Sequence, residues 1–246
     1  MRTLIFSDVH GNIEALNAVL KFTKKHKIDR YVCLGDLVGY GASPNETIQK
    51  IQGLKPLVVI RGNHDKAVTD IEAVETFNPV AAAAIAWTKS HITKKNLEFL
   101  ESLPRGPLTV ENDFVICHGA PFDEDFYIFG EFDADEAFDY MKLPLGFFGH
   151  THFPVIYTKR DEGVECQFLA GPINLLKFEK GLSYLINPGS VGQPRDRNPR
   201  AAFAIYDHDL RQVRFHRVEY EVAEAQKKIR AAGLPAALAD RLTHGL

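Results

Sequence analysis

The chain has 246 residues, of which 45% are hydrophobic and 25% are charged, and its formal net charge is −3. This length allows a full core in one α/β domain, and the charge balance gives no sign of a nucleic-acid-binding surface. No apolar run reaches membrane-spanning length, and the three cysteines form no CxxC pair, which argues against a disulfide framework or a zinc knuckle.

Short strands alternate with helices in the first third of the chain. Apolar runs predict strands at 3–6, 30–34 and 57–60. The first helix should begin after Asn12, and the second, over roughly 44–52, has Ser43 as an expected N-cap with proline at its first position. This βαβαβ order predicts a parallel sheet with helices on its faces. Because the chain begins with a strand and not with a signal peptide, we expect a cytoplasmic protein.

The rest of the chain is predicted to be helical first and then rich in strands. Residues 66–105 form a predicted helical insertion, with one helix starting at Asn78-Pro79 and a second over Lys94–Ser102. This insertion either caps a site or is a plain packing layer. We expect residues 1–246 to form one domain. Further strands are predicted at 114–117, 147–148, 155–159, 164–169, 182–186, 202–206 and 213–217, followed by a helix at 222–232 and a short C-terminal helix.

Five short blocks carry the residues with metal-binding chemistry. Most of them follow an apolar run, and an open α/β sheet places its site at the carboxyl ends of its strands. We therefore expect their carboxylates, amide and imidazoles to converge, with enough ligands for two divalent cations. The blocks are Ser7-Asp8-Val9-His10, Gly35-Asp36-Leu37-Val38-Gly39, Gly62-Asn63-His64-Asp65, His118-Gly119 and Gly149-His150-Thr151-His152.

Single members of these blocks have simpler alternatives. Asp36 lies in a glycine-flanked turn and has two oxygens that can bridge two cations about 3.5–4 Å apart, or it is an ordinary turn aspartate. Asp65 either orients His64 or caps a helix. Five of the ten histidines lie inside the blocks, which favours metal binding there. The other five are predicted at the surface, namely His26, His91, His208, His216 and His244.

The ordered blocks resemble the calcineurin-like metallophosphoesterase superfamily from Asp8 to about Arg200. The stretches GDLVGYGASPNE and NPGSVGQPRD are similar to its small prokaryotic phosphodiesterase/phosphatase branch. The resemblance implies an α/β fold, a four-layer α/β-β/α sandwich with two central mixed β-sheets flanked by helices. It also implies two divalent metal ions, with manganese expected first and iron, zinc or nickel as alternatives.

The resemblance further assigns roles to residues of this sequence. His64 is the implied catalytic acid or positioning group, with Asp65 behind it. Arg195 is expected to contact a substrate phosphate, or to pair with Asp196, and Tyr40 either borders the pocket or packs. One metal would be held by Asp8, His10 and His152, the second by Asn63, His118 and His150, and both by Asp36.

The implied activity is hydrolysis of phosphodiesters, and also of phosphomonoesters, by a metal-bridging hydroxide. The substrate would be a small phosphate ester. We expect no nucleic-acid or membrane partner, and the chain either forms a homo-oligomer or is a monomer. The alternatives are a diadenosine-polyphosphate or phosphoprotein phosphatase and a non-catalytic scaffold, which the presence of His64 disfavours. Three alternative roles are considered for a group of aromatic residues: lining a substrate pocket, forming a subunit contact or packing a loop. These residues are Phe122, Phe126, Tyr127, Phe129 and Phe132.

Overall fold

Two six-stranded mixed sheets form the centre of the molecule. The computed structural model describes residues 1–70, 77–169 and 174–246. In the first sheet, three parallel strands made by the start of the chain continue into antiparallel strands made by its end. Its order is β3 (Leu57–Val59), β2 (Arg30–Cys33), β1 (Arg2–Phe6), β11 (Ala201–Asp207), β12 (Gln212–Val218) and β9 (Leu175–Lys177).

The second sheet is built from the middle of the chain. Its order is β4 (Leu108–Val110), β5 (Phe114–Ile116), β6 (Leu145–Phe147), β10 (Ser183–Asn187), β7 (Val155–Arg160) and β8 (Gly163–Phe168). Two of the neighbouring pairs, β5 with β6 and β6 with β10, are parallel, and the other pairs are antiparallel.

Eight α-helices surround the sheets in the part of the chain that the structure describes. Asn12 caps α1 as expected, because its side chain accepts a hydrogen bond from a backbone N–H of the first turn, and Asn78, predicted as the start of a helix, caps α4 in the same way. Ser43 precedes its helix but makes no side-chain cap bond. The helices are α1 (Ile13–Thr23), α2 (Pro44–Gln52), α3 (Asn63–Thr69), α4 (Pro79–His91), α5 (Lys94–Ser102), α6 (Glu131–Asp139), α7 (Val222–Ala231) and α8 (Ala236–His244).

The alternation of side chains along β1 shows how the layers stack. Ile5 pairs with Val32 of β2 and Ala204 of β11, and all three belong to the core between the two sheets. Leu4 and Phe6 point the other way and join the core under α1, α2, α3 and α5. The outer face of the second sheet packs against α6. The predicted four-layer α/β-β/α sandwich is therefore confirmed.

Some local predictions were incomplete. The sequence analysis missed α3, α6, β4 and β9. The helix α6 buries only Ala134, Ala137 and Phe138 along an acidic stretch, so its apolar periodicity is weak. Residues 71–76 of the predicted insertion lie outside the described residues. Among the residues that are described, no helix is both long and apolar enough to cross a bilayer.

The histidines outside the five blocks are less exposed than expected. His91 and His244 are exposed as predicted, but His26, His208 and His216 are half-buried. His208 lies 2.7 Å from Asp113 and 2.8 Å from Thr3, and the ring of His216 stacks on Phe203. Asp113 and Thr3 come from distant parts of the chain, and Phe203 lies opposite His216 on the neighbouring strand, so local sequence context does not reveal these contacts.

Candidate metal centre

Each of the five blocks lies next to the end of a strand, at one end of the two sheets. Asp8 follows β1, Asp36 follows β2, and Asn63 begins α3 shortly after β3, all in the first sheet. His118 follows β5 and His150 follows β6 in the second sheet. All are buried, with relative exposures from 0% to 8%. The strand register thus brings side chains from distant parts of the sequence to one place.

Several of these residues have unusual backbone angles. A positive φ, in the left-handed region, is found at Asp8, His10, Asp36, His150 and His152. For residues other than glycine this conformation costs free energy and is concentrated at functional sites. The sharp turns that it creates allow ligands one residue apart, such as His150 and His152, to reach different neighbours.

The side chains form two groups that share one carboxylate. Ligand atoms of Asp8, His10, Asp36 and His152 lie within 4.8 Å of one another, and so do those of Asp36, His118 and His150. Asn63 joins the second group, with its Oδ1 3.0 Å from His118 Nε2. The structure therefore brings together all seven residues predicted as metal ligands and places Asp36 between the two groups.

Backbone carbonyls fix the orientation of three of these imidazoles. The Nδ1 atoms of His10, His118 and His152 lie 3.0, 2.8 and 2.6 Å from the carbonyl oxygens of Val38, Leu34 and Gln193. A carbonyl only accepts, so each Nδ1 carries a proton and donates it. In the neutral imidazole this leaves an Nε2 lone pair for a metal ion.

His150 has the opposite orientation. Its Nε2 lies 3.1 Å from the carbonyl oxygen of Asp125 and donates to it, which leaves Nδ1 as the free nitrogen. The ring of Tyr127 stacks on His150 with a centroid separation of 3.8 Å. This contact shields one face of the imidazole and holds the ring in place.

The arrangement of atoms fits bound cations. His10 Nε2 and His152 Nε2 are 3.1 Å apart, and His10 Nε2 is 3.5 Å from Asp36 Oδ2. With both Nδ1 atoms protonated, two lone pairs and a carboxylate point at each other, which is unfavourable without a positive charge between them. Asp8 Oδ2 is buried and has no hydrogen-bond partner among the described residues. Imidazole, carboxylate and amide donors together suit zinc, iron, nickel or manganese.

The protonation of these groups also fits a metal centre. Burial lowers the pKa of His10 and His152 well below the ordinary value, so both imidazoles are neutral at pH 7. Burial, reinforced by the charge of Asp36, raises the pKa of Asp8 to about 7. Burial acts to lower the pKa of His118, but Asp36 outweighs it and raises that pKa to about 10. A proton and a metal ion therefore compete for the Nε2 lone pair of His118.

Comparison with known proteins agrees with this geometry. A family model described as the calcineurin-like phosphoesterase superfamily domain matches residues 1–210. The chain belongs to the calcineurin-like phosphoesterase superfamily. It is 41% identical over 248 residues to the uncharacterized protein MJ0912 of Methanocaldococcus jannaschii, covering 98% of this chain and 97% of that protein.

Solved structures show the same fold. The metallophosphoesterase from Sphaerobacter thermophilus is 40% identical and superposes with a TM-score of 0.89, covering 100% of this chain and 99% of that one. The hypothetical protein PH1004 from Pyrococcus horikoshii OT3 shares the fold at 21% identity, with a TM-score of 0.81 and coverage of 100% and 98%. The family and the buried His/Asp cluster together indicate a divalent-metal site in this calcineurin-like phosphoesterase.

His64 lies beside the metal centre within a group of rings. Its imidazole is 4.5 Å from the ring of Tyr40, 4.8 Å from that of His10 and 4.9 Å from that of Phe77. Its Nδ1 is buried and has no hydrogen-bond partner among the described residues. Burial lowers the pKa of His64 to about 4, although the charge of Asp36 acts against this. The imidazole is therefore neutral at pH 7.

Asp65 makes its hydrogen bonds to the backbone. One carboxylate oxygen accepts from the N–H groups of Leu37 and Val38 at 2.9 and 3.2 Å, and the other accepts from Gly62 N–H at 3.0 Å. These bonds fix the turn after Asp36 to the start of α3. Asp65 therefore stabilises the start of α3, but as its third residue and not as the expected N-cap, which is Gly62. The role of orienting His64 stays a prediction.

Arg195 and Tyr40 lie together next to the histidines. Arg195 Nη2 is 3.4 Å from Tyr40 Oη and 3.1 Å from Gln193 Oε1. The charge of Arg195 contributes to lowering the pKa of His10, His64 and His152, so it acts on the site. The alternative pairing within the loop does not form, because Asp196 pairs with Arg217. Tyr40 does both things considered for it, since it packs on His64 and lines the adjoining cavity.

The stretch around Asn187 holds the ligand loops in position, which sequence reasoning did not assign. Asn187 Nδ2 donates to Gly149 O at 2.6 Å and to Thr151 Oγ1 at 3.0 Å. Ser190 Oγ donates to Asp8 O at 2.9 Å. The end of β10 thus fixes the turn that carries His150, and the loop that follows β10 fixes the Asp8 turn. The NPGSVGQPRD motif covers this stretch, but motif spacing alone does not reveal such contacts.

A cavity of about 360 Å³ opens beside the metal centre. Asn63, His64 and His150 belong to its lining, together with several residues that the sequence analysis did not assign to the site. Phe77 and Asn78 bring the described part of the insertion to this cavity, while α4 packs against Tyr40. The remaining lining residues are Tyr40, Lys66, Asp125 and Tyr127.

Proposed function

We propose that the protein is a di-metal-dependent phosphoesterase that hydrolyses small phosphodiesters and also accepts phosphomonoesters. One observation carries the proposal. Two groups of buried metal-binding side chains share Asp36 and lie at the edge of a cavity of about 360 Å³. Protein cavities of this size bind small molecules, and a shared carboxylate is the usual link between two catalytic cations.

The chain's own residues would bind and orient the ester. Two divalent cations, when bound, would polarise the phosphoryl oxygens and lower the pKa of a bound water. Arg195, held by Tyr40 and Gln193, would donate hydrogen bonds to an equatorial phosphate oxygen and stabilise its charge. His64 lines the cavity and would donate a hydrogen bond or a proton to the leaving oxygen.

The first test uses metal-stripped protein supplied with Mn²⁺, Fe²⁺, Ni²⁺, Zn²⁺ or Mg²⁺ singly. Hydrolysis of bis(p-nitrophenyl) phosphate and of p-nitrophenyl phosphate is followed by release of p-nitrophenolate. We expect metal-dependent turnover with the diester preferred. A preference for the monoester would contradict the diesterase assignment, and no turnover with any cation would contradict the enzymatic function and support the scaffold alternative.

Two histidine variants separate metal binding from turnover. His64→Ala should lower kcat by about 10²- to 10⁴-fold, the usual contribution of a proton-transferring side chain, and should keep its metal. The matched variant His152→Ala removes a side chain of the first group, so its metal content should fall as well. Metal content is measured by mass spectrometry on both variants. Loss of metal from His64→Ala would show that His64 has a different role.

A further inference from the structure

The rings of Tyr40, Phe77 and Tyr127 line the cavity beside the metal centre. Tyr40 and Phe77 pack around His64, with the Phe77 ring at 77° to the imidazole. Tyr127 stacks on His150 with an interplanar angle of 29° and also stacks on Phe129, yet its side chain remains 41% exposed. A group that enters this cavity therefore meets aromatic rings.

Among the described residues that line the cavity, the charged side chains are those of Lys66 and Asp125, and they pair with each other. Lys66 Nζ is 2.5 Å from Asp125 Oδ2 and 3.5 Å from Glu124 Oε1, so its charge is already neutralised. Asp125 is the acidic partner in this pair, and its carbonyl oxygen also accepts from His150. The other polar side chains of the described lining are uncharged amides, imidazoles and phenols, namely those of Asn63, Asn78, His64, His150, Tyr40 and Tyr127. Apart from the side facing Arg195, which lies beside Tyr40, this lining suits an uncharged organic group better than a second phosphate.

We infer that this cavity accepts a planar aromatic ring carried by the phosphate ester, and that Phe77 and Tyr127 are the residues that select it. The inference rests on the proposed function, since it names the organic part of the substrate of the same site. Aromatic rings favour offset-stacked or edge-to-face neighbours at centroid distances of 4.5–7 Å, and the rings of Phe77 and Tyr127 in the lining are available as such neighbours. An aliphatic group of equal size lacks these contacts.

The test compares phosphonates as competitive inhibitors of bis(p-nitrophenyl) phosphate hydrolysis. Phenylphosphonate and cyclohexylphosphonate have the same anionic group and a similar size, but only the first has a planar π-system. We expect phenylphosphonate to bind about three- to tenfold more tightly than cyclohexylphosphonate, the range measured for aromatic pairs. Methylphosphonate gives the affinity of the anion without an organic ring.

A second pair identifies where the ring sits. Uridine 5′-monophosphate and ribose 5-phosphate differ only in the base, which a sugar separates from the phosphate. Tighter binding of phenylphosphonate alone, relative to its partner, supports a ring bonded directly to the phosphoryl group. Tighter binding of the uridine nucleotide alone, relative to ribose 5-phosphate, supports a nucleobase one sugar away. Equal inhibition within both pairs overturns the inference.

Variants test the two selecting residues. Phe77→Leu and Tyr127→Leu keep apolar bulk but remove the ring, so the preference for the aromatic inhibitor should fall to less than twofold in each. Their metal content is measured because Tyr127 covers His150 and Phe77 contacts His64. The control Phe132→Leu changes a ring that is 94% exposed and outside the cavity lining, and it should keep the wild-type preference.

The outcomes separate this inference from the proposed function. Hydrolysis with a bound metal but without any preference for aromatic inhibitors overturns the inference alone. A preference that survives both leucine variants, with normal metal content, overturns the assignment of Phe77 and Tyr127. Absence of hydrolysis with every cation overturns the proposed function and the inference with it.

Discussion

The left-handed backbone at His150 predicts that a glycine variant is more stable than an alanine variant at residue 150, whereas the order is reversed at residue 118. His150 has a φ of 65° and is 3% exposed. For an L-residue this conformation costs about 1–2 kcal/mol, which His150→Ala retains and His150→Gly avoids. Glycine in turn loses about 0.5–1 kcal/mol through the greater freedom of the unfolded chain. The glycine variant should therefore be the more stable of the two by about 0.5–1 kcal/mol.

His118 provides the matched control. It is a buried member of the same centre, but it does not have a positive φ. There glycine relieves no strain, so His118→Gly should be less stable than His118→Ala by about 0.5–1 kcal/mol. The difference between the two pairs of variants, about 1–2 kcal/mol, is the cost of the left-handed backbone at residue 150.

The assay is urea unfolding of the four variants in the presence of a metal chelator, so that metal binding does not contribute. For a chain of this size, 1 kcal/mol corresponds to about 2–4 °C in Tm, which thermal unfolding resolves as a check. Alanine more stable than glycine at both positions, by similar amounts, would refute the reasoning. It would mean that the backbone at residue 150 relaxes once the imidazole is gone.

Three further predictions concern the metal centre and the core. Asp36→Asn should reduce metal content at both groups, because both include this carboxylate; two fully bound ions in the variant would argue against sharing. Gly39→Ala should lower kcat, since a Cβ there would lie 2.6 Å from His64 Nδ1 and 3.0 Å from His10 Nδ1; unchanged kinetics would show that the turn can move aside. His216→Phe should remove part of the acid sensitivity of the fold. Burial, reinforced by nearby cationic groups, lowers the pKa of His216 to about 4, so the unfolded chain binds the extra proton between pH 6.5 and 4 and wild-type stability falls across that window. From pH 7 to 4.5 the wild type should lose about 1–2 kcal/mol more than the variant in urea unfolding, a value reduced for the partial exposure of the ring, with no such difference between pH 7 and 8.

Much of the fold follows from local sequence patterns. The apolar runs identified β1, β2 and β3, and the Asn78-Pro79 pair identified the start of α4, because each signal lies within a few residues of the element that it predicts. The second sheet was harder to place. Its neighbours β6 and β10 are far apart in the chain, and no local feature records that they pair. The acidic helix α6 was missed because it buries so little apolar surface.

The residues of the candidate site likewise fall into those that the sequence predicts and those that it does not. Side chains that must have a particular chemistry, such as Asp36 and His118, can be found from residue type and position after a strand. Residues whose role depends on their position in the fold cannot be found from residue type and strand position. Tyr127 was one of several aromatic residues with three open roles, and its contact with His150 depends on the path of a loop. The backbone bonds of Asp65 likewise depend on how α3 approaches the turn after β2.

Each group of metal-binding side chains takes members from both sheets. His10 and His152 approach within 3.1 Å although 142 positions separate them in the chain. A cation bound there would cross-link the two sheets, and cross-links between distant positions in the chain reduce its conformational entropy strongly. Binding to the folded chain alone adds about 2.7 kcal/mol when the free cation is 100-fold above its Kd. Melting curves recorded with a series of cations would thus rank their affinities without any substrate, because the rise in the Tm of the two-sheet sandwich would report how tightly each cation binds.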